Sequence, residues 1–171
     1  MRVHLGLGSN VGDRRTMLQA AVDGLAARGV VTVASSSTYE TDPVGEILDQ
    51  PAFLNACVAA ESAIADPEAL LDAVKDVERA LGRTTSGPEY VRHGPRAIDV
   101  DVLLAGDRAY RSDHLSVPHP ALLERRFVLI PLLELDLELT TPGGVRLADA
   151  LAALPVTEGV RRAGPPLALP G

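Results

Sequence analysis

From Ile98 to Leu104 the chain reads Ile98-Asp99-Val100-Asp101-Val102-Leu103-Leu104, apolar and acidic residues in alternation. A period of two marks a half-buried strand, and it demands a sheet with a core under one face and a polar environment over the other. Ile98, Val100, Val102 and Leu104 are expected on the core face. Asp99 and Asp101 then stand side by side on the other. Two carboxylates at i and i+2 repel each other unless a cation lies between them. Hard divalent ions such as magnesium take oxygen ligands and keep company with phosphates. The strand is approached through Arg92-His93-Gly94-Pro95-Arg96, a short, stiff and cationic segment. Two aspartates on a strand are most often its solvated face, but a solvated face does not require Gly-Pro and flanking arginines. An acid pair beside arginines is what nucleotide-dependent phosphoryl transfer needs.

The rest of the chain narrows the class. With 171 residues, 46% of them apolar, one domain with its own core is expected. A formal charge of −7 lacks the basic footprint of a nucleic-acid binder. Lys75 is the only lysine, yet Arg83, Arg92 and Arg96 fall in one short segment. That local positive charge suits a small, multiply charged anion, against the plainer reading of a solvated arginine-rich loop. The single cysteine, Cys57, lies in an apolar run and excludes a disulfide framework, which fits a reducing cytoplasm. No signal-like or membrane-spanning run is visible, so a cytoplasmic, membrane-free protein is expected.

Along the chain, Val3, Leu5 and Leu7 alternate with His4 and Gly6 as a first strand. A helix with Leu18, Ala21, Val22 and Leu25 on one face follows and stops at Gly29. Val30 to Tyr39 reads as a second strand and Phe53 to Ser62 as a third. The best-marked helix starts at Asp66-Pro67, a cap followed by proline at the first helical position. Leu70, Val74, Val77 and Leu81 form its buried stripe, and Gly82 ends it. Gly106-Asp107 signals a hairpin turn. Ala121 to Leu135 is expected to be helical with a break at Pro131, Leu137 to Thr141 a short strand, and Leu147 to Leu154 a last helix. Residues 164–171 read as a disordered tail after a single domain over 1–163. Gly6-Leu7-Gly8-Ser9-Asn10-Val11-Gly12 imitates a dinucleotide fingerprint, but the last glycine comes one residue late and no acid ends a second parallel strand. Many strands with short connections point instead to an α+β sandwich on a largely antiparallel sheet.

Several segments together resemble the 6-hydroxymethyl-7,8-dihydropterin pyrophosphokinases of the folate pathway. They are Leu7-Gly8-Ser9-Asn10, Ser37 to Gly45, Gln50 to Asn55, Glu78 with Leu81-Gly82-Arg83, Gly94 to Asp101, Val117-Pro118-His119 and Arg125 to Leu132. The resemblance spans most of the chain. It implies a ferredoxin-like α/β sandwich that moves diphosphate from ATP to the pterin's hydroxymethyl group, releases AMP and uses two magnesium ions. By the same resemblance Asp99 and Asp101 match the magnesium ligands, and Arg83 and Arg96 the phosphate-contacting arginines, these four forming the catalytic set. Phe127 matches the aromatic that stacks on the pterin, Phe53 the aromatic facing it, and Asn55 the residue that hydrogen-bonds the ring. Thr41, Asp42, Pro43 and Val44 match the loop whose backbone also reads that ring. Glu78, Ser116, His119 and Arg125 match positions around the nucleotide. These assignments make chemical sense, since arginine forks fit phosphate oxygens and asparagine offers the donor and acceptor that a pterin edge requires.

The sequence departs from the family pattern at several points, among them a longer segment from Arg83 to Arg96 that carries Thr84-Thr85-Ser86 where a basic residue is often found. His93 stands where tryptophan usually precedes Gly-Pro-Arg, in a loop near the nucleotide that with Arg92 closes over the active site. His114 replaces an arginine near the nucleotide. The implied partners are a pterin and ATP, and a monomer is expected. Two other readings stand beside the kinase: a relative that binds pterin and nucleotide but transfers weakly because its lid is altered, and a ferredoxin-like regulatory domain for a small ligand.

Overall fold

A computed structural model of the chain describes residues 1–42, 51–82, 97–156 and 159–170. In chain order the elements are β1 (Arg2–Ser9), α1 (Arg14–Ala26), β2 (Val30–Ser35), β3 (Thr38–Thr41), β4 (Phe53–Ser62), α2 (Pro67–Ala80), β5 (Asp99–Ala105), β6 (Tyr110–Arg111), β7 (Ser116–Val117), α3 (Arg126–Leu135), α4 (Leu147–Ala153) and β8 (Val160–Gly164). Local chemistry sets most of these limits. Asp13 caps α1 by accepting from the Thr16 N–H, and Asp66 caps α2 by accepting from the Ala69 N–H. Gly29 and Gly82 take positive φ just past the two helices, the conformation that favours glycine.

The main sheet runs β5-β1-β4-β3-β8, with β2 also paired to β4, and its pairs are antiparallel. The α+β expectation therefore holds. Beneath one face, α1 and α2 bury Leu18, Val22, Leu25, Leu70, Val74 and Val77 against Val3, Leu5 and Leu7 of β1 and Val100 and Val102 of β5. On the other face, α3 and α4 pack Leu129, Leu132 and Leu147 over Cys57, Leu103 and Leu104. Among the described residues no helix is long and apolar enough to cross a membrane.

Five details depart from the sequence reading. Val30 to Tyr39 is two strands, because Ser36 interrupts the ladder. Its N–H donates to the Cys57 carbonyl, and its Oγ accepts from the Cys57 N–H. Leu104 faces α3 and α4 rather than the first core, because the register between β1 and β5 shifts by one residue there. His4 pairs with Leu104 and Leu5 with Val102, so Leu103 is the extra residue of a bulge. Pro131 sits inside α3 without ending it; burial of Leu129, Leu132 and Leu133 holds the helix together despite the missing N–H. Residues 137–141 form turns and a single bridge from Thr140 to Arg146, not a strand.

The fifth concerns the C-terminal end, which is docked rather than disordered. Leu167 is buried in the first core. Arg15 donates to the carbonyls of Pro165 and Pro166, and Gln19 exchanges two hydrogen bonds with the Ala168 backbone. One apolar side chain and a set of satisfied backbone groups are enough to order a proline-rich segment whose unfolded form has little entropy to lose.

Candidate active site

The site grows out of the register of the three central strands. Gly8 of β1 lies opposite Asp99 of β5 on one side and Asn55 of β4 on the other. Gly6 lies between Asp101 and Cys57 in the same way. Directly opposed residues of an antiparallel pair point to the same face. Two rows therefore cross the sheet, acid–glycine–asparagine and acid–glycine–cysteine, and the glycine at the centre of each leaves bare backbone. Above them opens a cleft of about 370 Å³. The acids form one wall, and Thr41, Asp42, Phe53 and Asn55 the opposite one. His119, Arg125, Phe127 and Val128 close it from the α3 side.

Glycine weakens a strand interior, so two at i and i+2 need a reason. Here a Cβ on Gly8 would come within 2.8 Å of the Asn55 Oδ1. The floor must be backbone for the asparagine to keep its place. Asn55 is buried, and its Nδ2 donates to the Thr41 Oγ1 at 2.6 Å. That bond satisfies a polar side chain within a strand and leaves the amide turned along the floor. The chain contains only two phenylalanines, and both line this cleft. Phe127 is partly buried against the second core, and the Arg125 guanidinium lies 5.6 Å from its ring centre, within reach of a cation–π contact.

On the acid side, Asp99 and Asp101 both line the cleft, while Val100 between them points into the first core. Among the described residues no group of three or more His, Cys, Asp or Glu side chains could hold a metal ion between them. Two carboxylates on one wall of a cleft still fit magnesium, which characteristically takes one or two carboxylates and completes its shell with water and substrate phosphates. His119 has its pKa lowered by burial and by the charge of Arg125, with Asp99 pulling the other way. Its Nδ1 accepts from the Ala121 N–H, so the neutral ring carries its proton on Nε2. Burial above all, and the Asp101 charge, push the Cys57 thiol up, so it stays protonated on the cleft floor.

The structure gathers Thr41, Asp42, Phe53, Asn55, Asp99, Asp101, His119, Arg125 and Phe127 into one cleft. Three expected residues lie elsewhere. Glu78 is 1% exposed beside β5, outside the cleft lining, where it accepts from the Val100 N–H at 2.9 Å and pairs with Lys75. It grips the backbone between the two acids. His114 is exposed on the turn after β6, 3.6 Å from Glu68, and Ser116 lies on β7; neither lines the cleft. Pro43, Val44, Arg83, Arg92, His93 and Arg96 lie outside the described residues.

Sequence reasoning passed over Gly6, Gly8 and Cys57 as site residues. The signal was the alternation of glycines within a strand. It also passed over a clasp between α3 and β3. Glu134 accepts from the Ser37 N–H, the Ser37 hydroxyl and the Tyr39 hydroxyl at 2.6–2.9 Å. Burial works against ionising Glu134, but these bonds and the nearby Arg162 hold its pKa below the usual value. Burial and the same bond push Tyr39 up to about 12. The clasp fixes the helix that carries Phe127 against the strand that carries Thr41.

Known proteins resemble this chain in both sequence and fold. The family model described as 7,8-dihydro-6-hydroxymethylpterin-pyrophosphokinase (HPPK) matches residues 4–137. The chain is 44% identical over 154 residues to a 2-amino-4-hydroxy-6-hydroxymethyldihydropteridine pyrophosphokinase of Methylorubrum extorquens, covering 90% of this chain and 93% of that one. It is 45% identical over 133 residues to the Bacillus subtilis protein of the same name, covering 77% and 76%. Its fold is similar to a solved HPPK-DHPS in complex with substrates, with a TM-score of 0.67 at 12% identity. That match takes in 89% of this chain but only 43% of the solved one.

Proposed function

Because the chain belongs to the 7,8-dihydro-6-hydroxymethylpterin-pyrophosphokinase family, we propose that its cleft transfers diphosphate from ATP to the hydroxymethyl group of 6-hydroxymethyl-7,8-dihydropterin, a step of folate synthesis. The observation that carries this reading is the row Asp99–Gly8–Asn55. It sets an acid wall suited to metal and phosphate across a bare floor from an amide flanked by the only two phenylalanines.

In the reaction the hydroxymethyl oxygen bonds to the β-phosphorus of ATP. The bond from that phosphorus to the oxygen bridging the α-phosphate breaks, AMP leaves with the bridging oxygen, and the hydroxyl proton passes to solvent. Such a transfer rests on alignment and charge neutralisation more than on a strong base, so none is assigned. Asp99 and Asp101 would hold magnesium, two ions in this proposal; bound there, the metal neutralises charge on the phosphates. Arg83 and Arg96 would contact phosphate oxygens. Arg125 and the Nε2–H of His119 present positive charge and a donor on the nucleotide side, with Arg92 and His93 contributing from the approach to β5. Asn55 reads the pterin edge, and Phe53 and Phe127 hold its faces. The backbone of 41–44 completes the ring pocket. Glu78 acts through β5 by fixing the Val100 backbone. The protein is taken as a cytoplasmic monomer whose single domain includes the docked residues up to 170.

The test is AMP release from ATP. It should require both magnesium and the pterin alcohol. AMP formation indifferent to the pterin would overturn the assignment. Pterin binding with no AMP release would leave only a binding protein with weakened transfer.

A further inference from the structure

The family model stops at residue 137, yet the wall of the cleft that faces the acids leans on chain beyond it. β8 adds to β3 in a register that sets Val160 opposite Thr41 and Arg161 opposite Glu40. The Asp42 N–H donates to the Gly159 carbonyl at 3.2 Å. Arg161 lies 3.4 Å from the Asp42 carboxylate and 3.8 Å from that of Glu40. Glu40 in turn pairs with Arg14 at 3.2 Å, and the same guanidinium donates to the Ala52 carbonyl at 2.9 Å, next to Phe53. One network thus runs from the C-terminal strand through Asp42 and Glu40 to the backbone carrying Phe53. Thr41 and Asp42 line the cleft, and Thr41 holds the Asn55 amide. The strand itself is held by the buried Leu167 and by the Arg15 and Gln19 bonds to residues 165–168.

We infer that β8 is a built-in positioning element for the pterin wall, with Arg161 acting through Asp42 and Glu40 to set where Thr41, Asn55 and Phe53 stand. This rests on the pterin reading of the cleft and adds to it a segment and a residue beyond the residues 4–137 matched by the family model. Arg161 does not line the cleft, so it is a positioning residue and not a catalytic one. Its pairs are more than a third exposed, so screening keeps the effect modest and places it in substrate affinity rather than in the fold.

The experiment uses the full-length protein and measures binding of 6-hydroxymethyl-7,8-dihydropterin and of a non-hydrolysable ATP analogue by calorimetry, with steady-state kinetics alongside. Arg161→Glu puts a third carboxylate beside Asp42 and Glu40. It should weaken pterin binding and raise the pterin KM roughly three- to tenfold, leaving analogue affinity and kcat near wild type. Arg161→Ala should show a smaller shift in the same direction, and Arg161→Lys should restore most of the affinity. Unchanged pterin binding in Arg161→Glu, or equal losses for both ligands accompanying a lower Tm, would overturn the inference. Failure of the wild-type protein to bind the pterin at all would instead sink the reading of the cleft on which it rests.

Discussion

The two faces of β1 divide the labour of this protein. Val3, Leu5 and Leu7 point into the first core and are at most 2% exposed. His4, Gly6 and Gly8 point the other way, toward α3 and the cleft. The first face is filled with side chains chosen for volume. The second is bare at Gly6 and Gly8, and in the proposed reading a ligand lies on that backbone while neighbouring strands supply the chemistry. In the proposed reading the ligand sits where β1 gives up side chains, beside the second core that α3 and α4 build on the same face of the sheet.

Substitutions on the two faces should therefore fail differently. Asp99→Ala or Asp101→Ala should lower diphosphate transfer by about a hundredfold or more with Tm nearly unchanged, since charge neutralisation is needed mainly in the transition state. Near-normal turnover of both variants at saturating magnesium would break the division. Leu5→Ala, one strand over on the filled face, should cost about 3 kcal/mol of stability in urea unfolding. Its pterin affinity under folding conditions should be preserved; a selective loss of that affinity would show the faces to be coupled.

Two further changes sharpen the emptied face. Gly8→Ala should weaken pterin binding roughly tenfold, because the new methyl collides with Asn55 and overpacking of this kind costs about 1–3 kcal/mol. If calorimetry shows nucleotide and pterin affected alike, the collision is not confined to Asn55. Phe127→Ala should cost on the order of 1 kcal/mol in pterin affinity through loss of one stacking face, with ATP affected less. A fall in Tm without that selectivity would make Phe127 a core residue only.

The smallest expected effect concerns pH. Burial, with the charge of Arg2, lowers the pKa of His4 from 6.5, against the pull of Asp136. A lowered folded value means the unfolded chain takes up the proton first. Stability is then full above about 6.5 and is lost as pH falls from there toward the folded pKa. His119 works in the same direction. His4→Gln should flatten the loss of stability as pH falls below about 6.5; an unaltered slope would assign the acid sensitivity elsewhere.

Much of this was legible in the residues. β1, β4, β5, α1 and α2 declare themselves through alternation, caps and terminal glycines, all of which act within a few residues. The acid pair follows from the same alternation. What stayed hidden depends on partners far away in the chain. The break at Ser36 exists because Cys57 lies beside it. Leu104 turns over because a bulge against β1 adds one residue to the count. The tail is ordered by Arg15 and Gln19, and Glu134 matters only because Ser37 and Tyr39 lie within reach. Glu78 resembled a nucleotide contact, but its place under the strand follows from how α2 lies against β5.

That buried glutamate has a second consequence. β5 is the last strand on its side of the described sheet, and an edge strand offers unpaired amides that another chain can adopt as a template. The Glu78 carboxylate occupies the Val100 amide, and the acids on either side of it add charge to the same stretch. The edge that bears Asp99 and Asp101 thus offers an incoming strand no free amide at Val100.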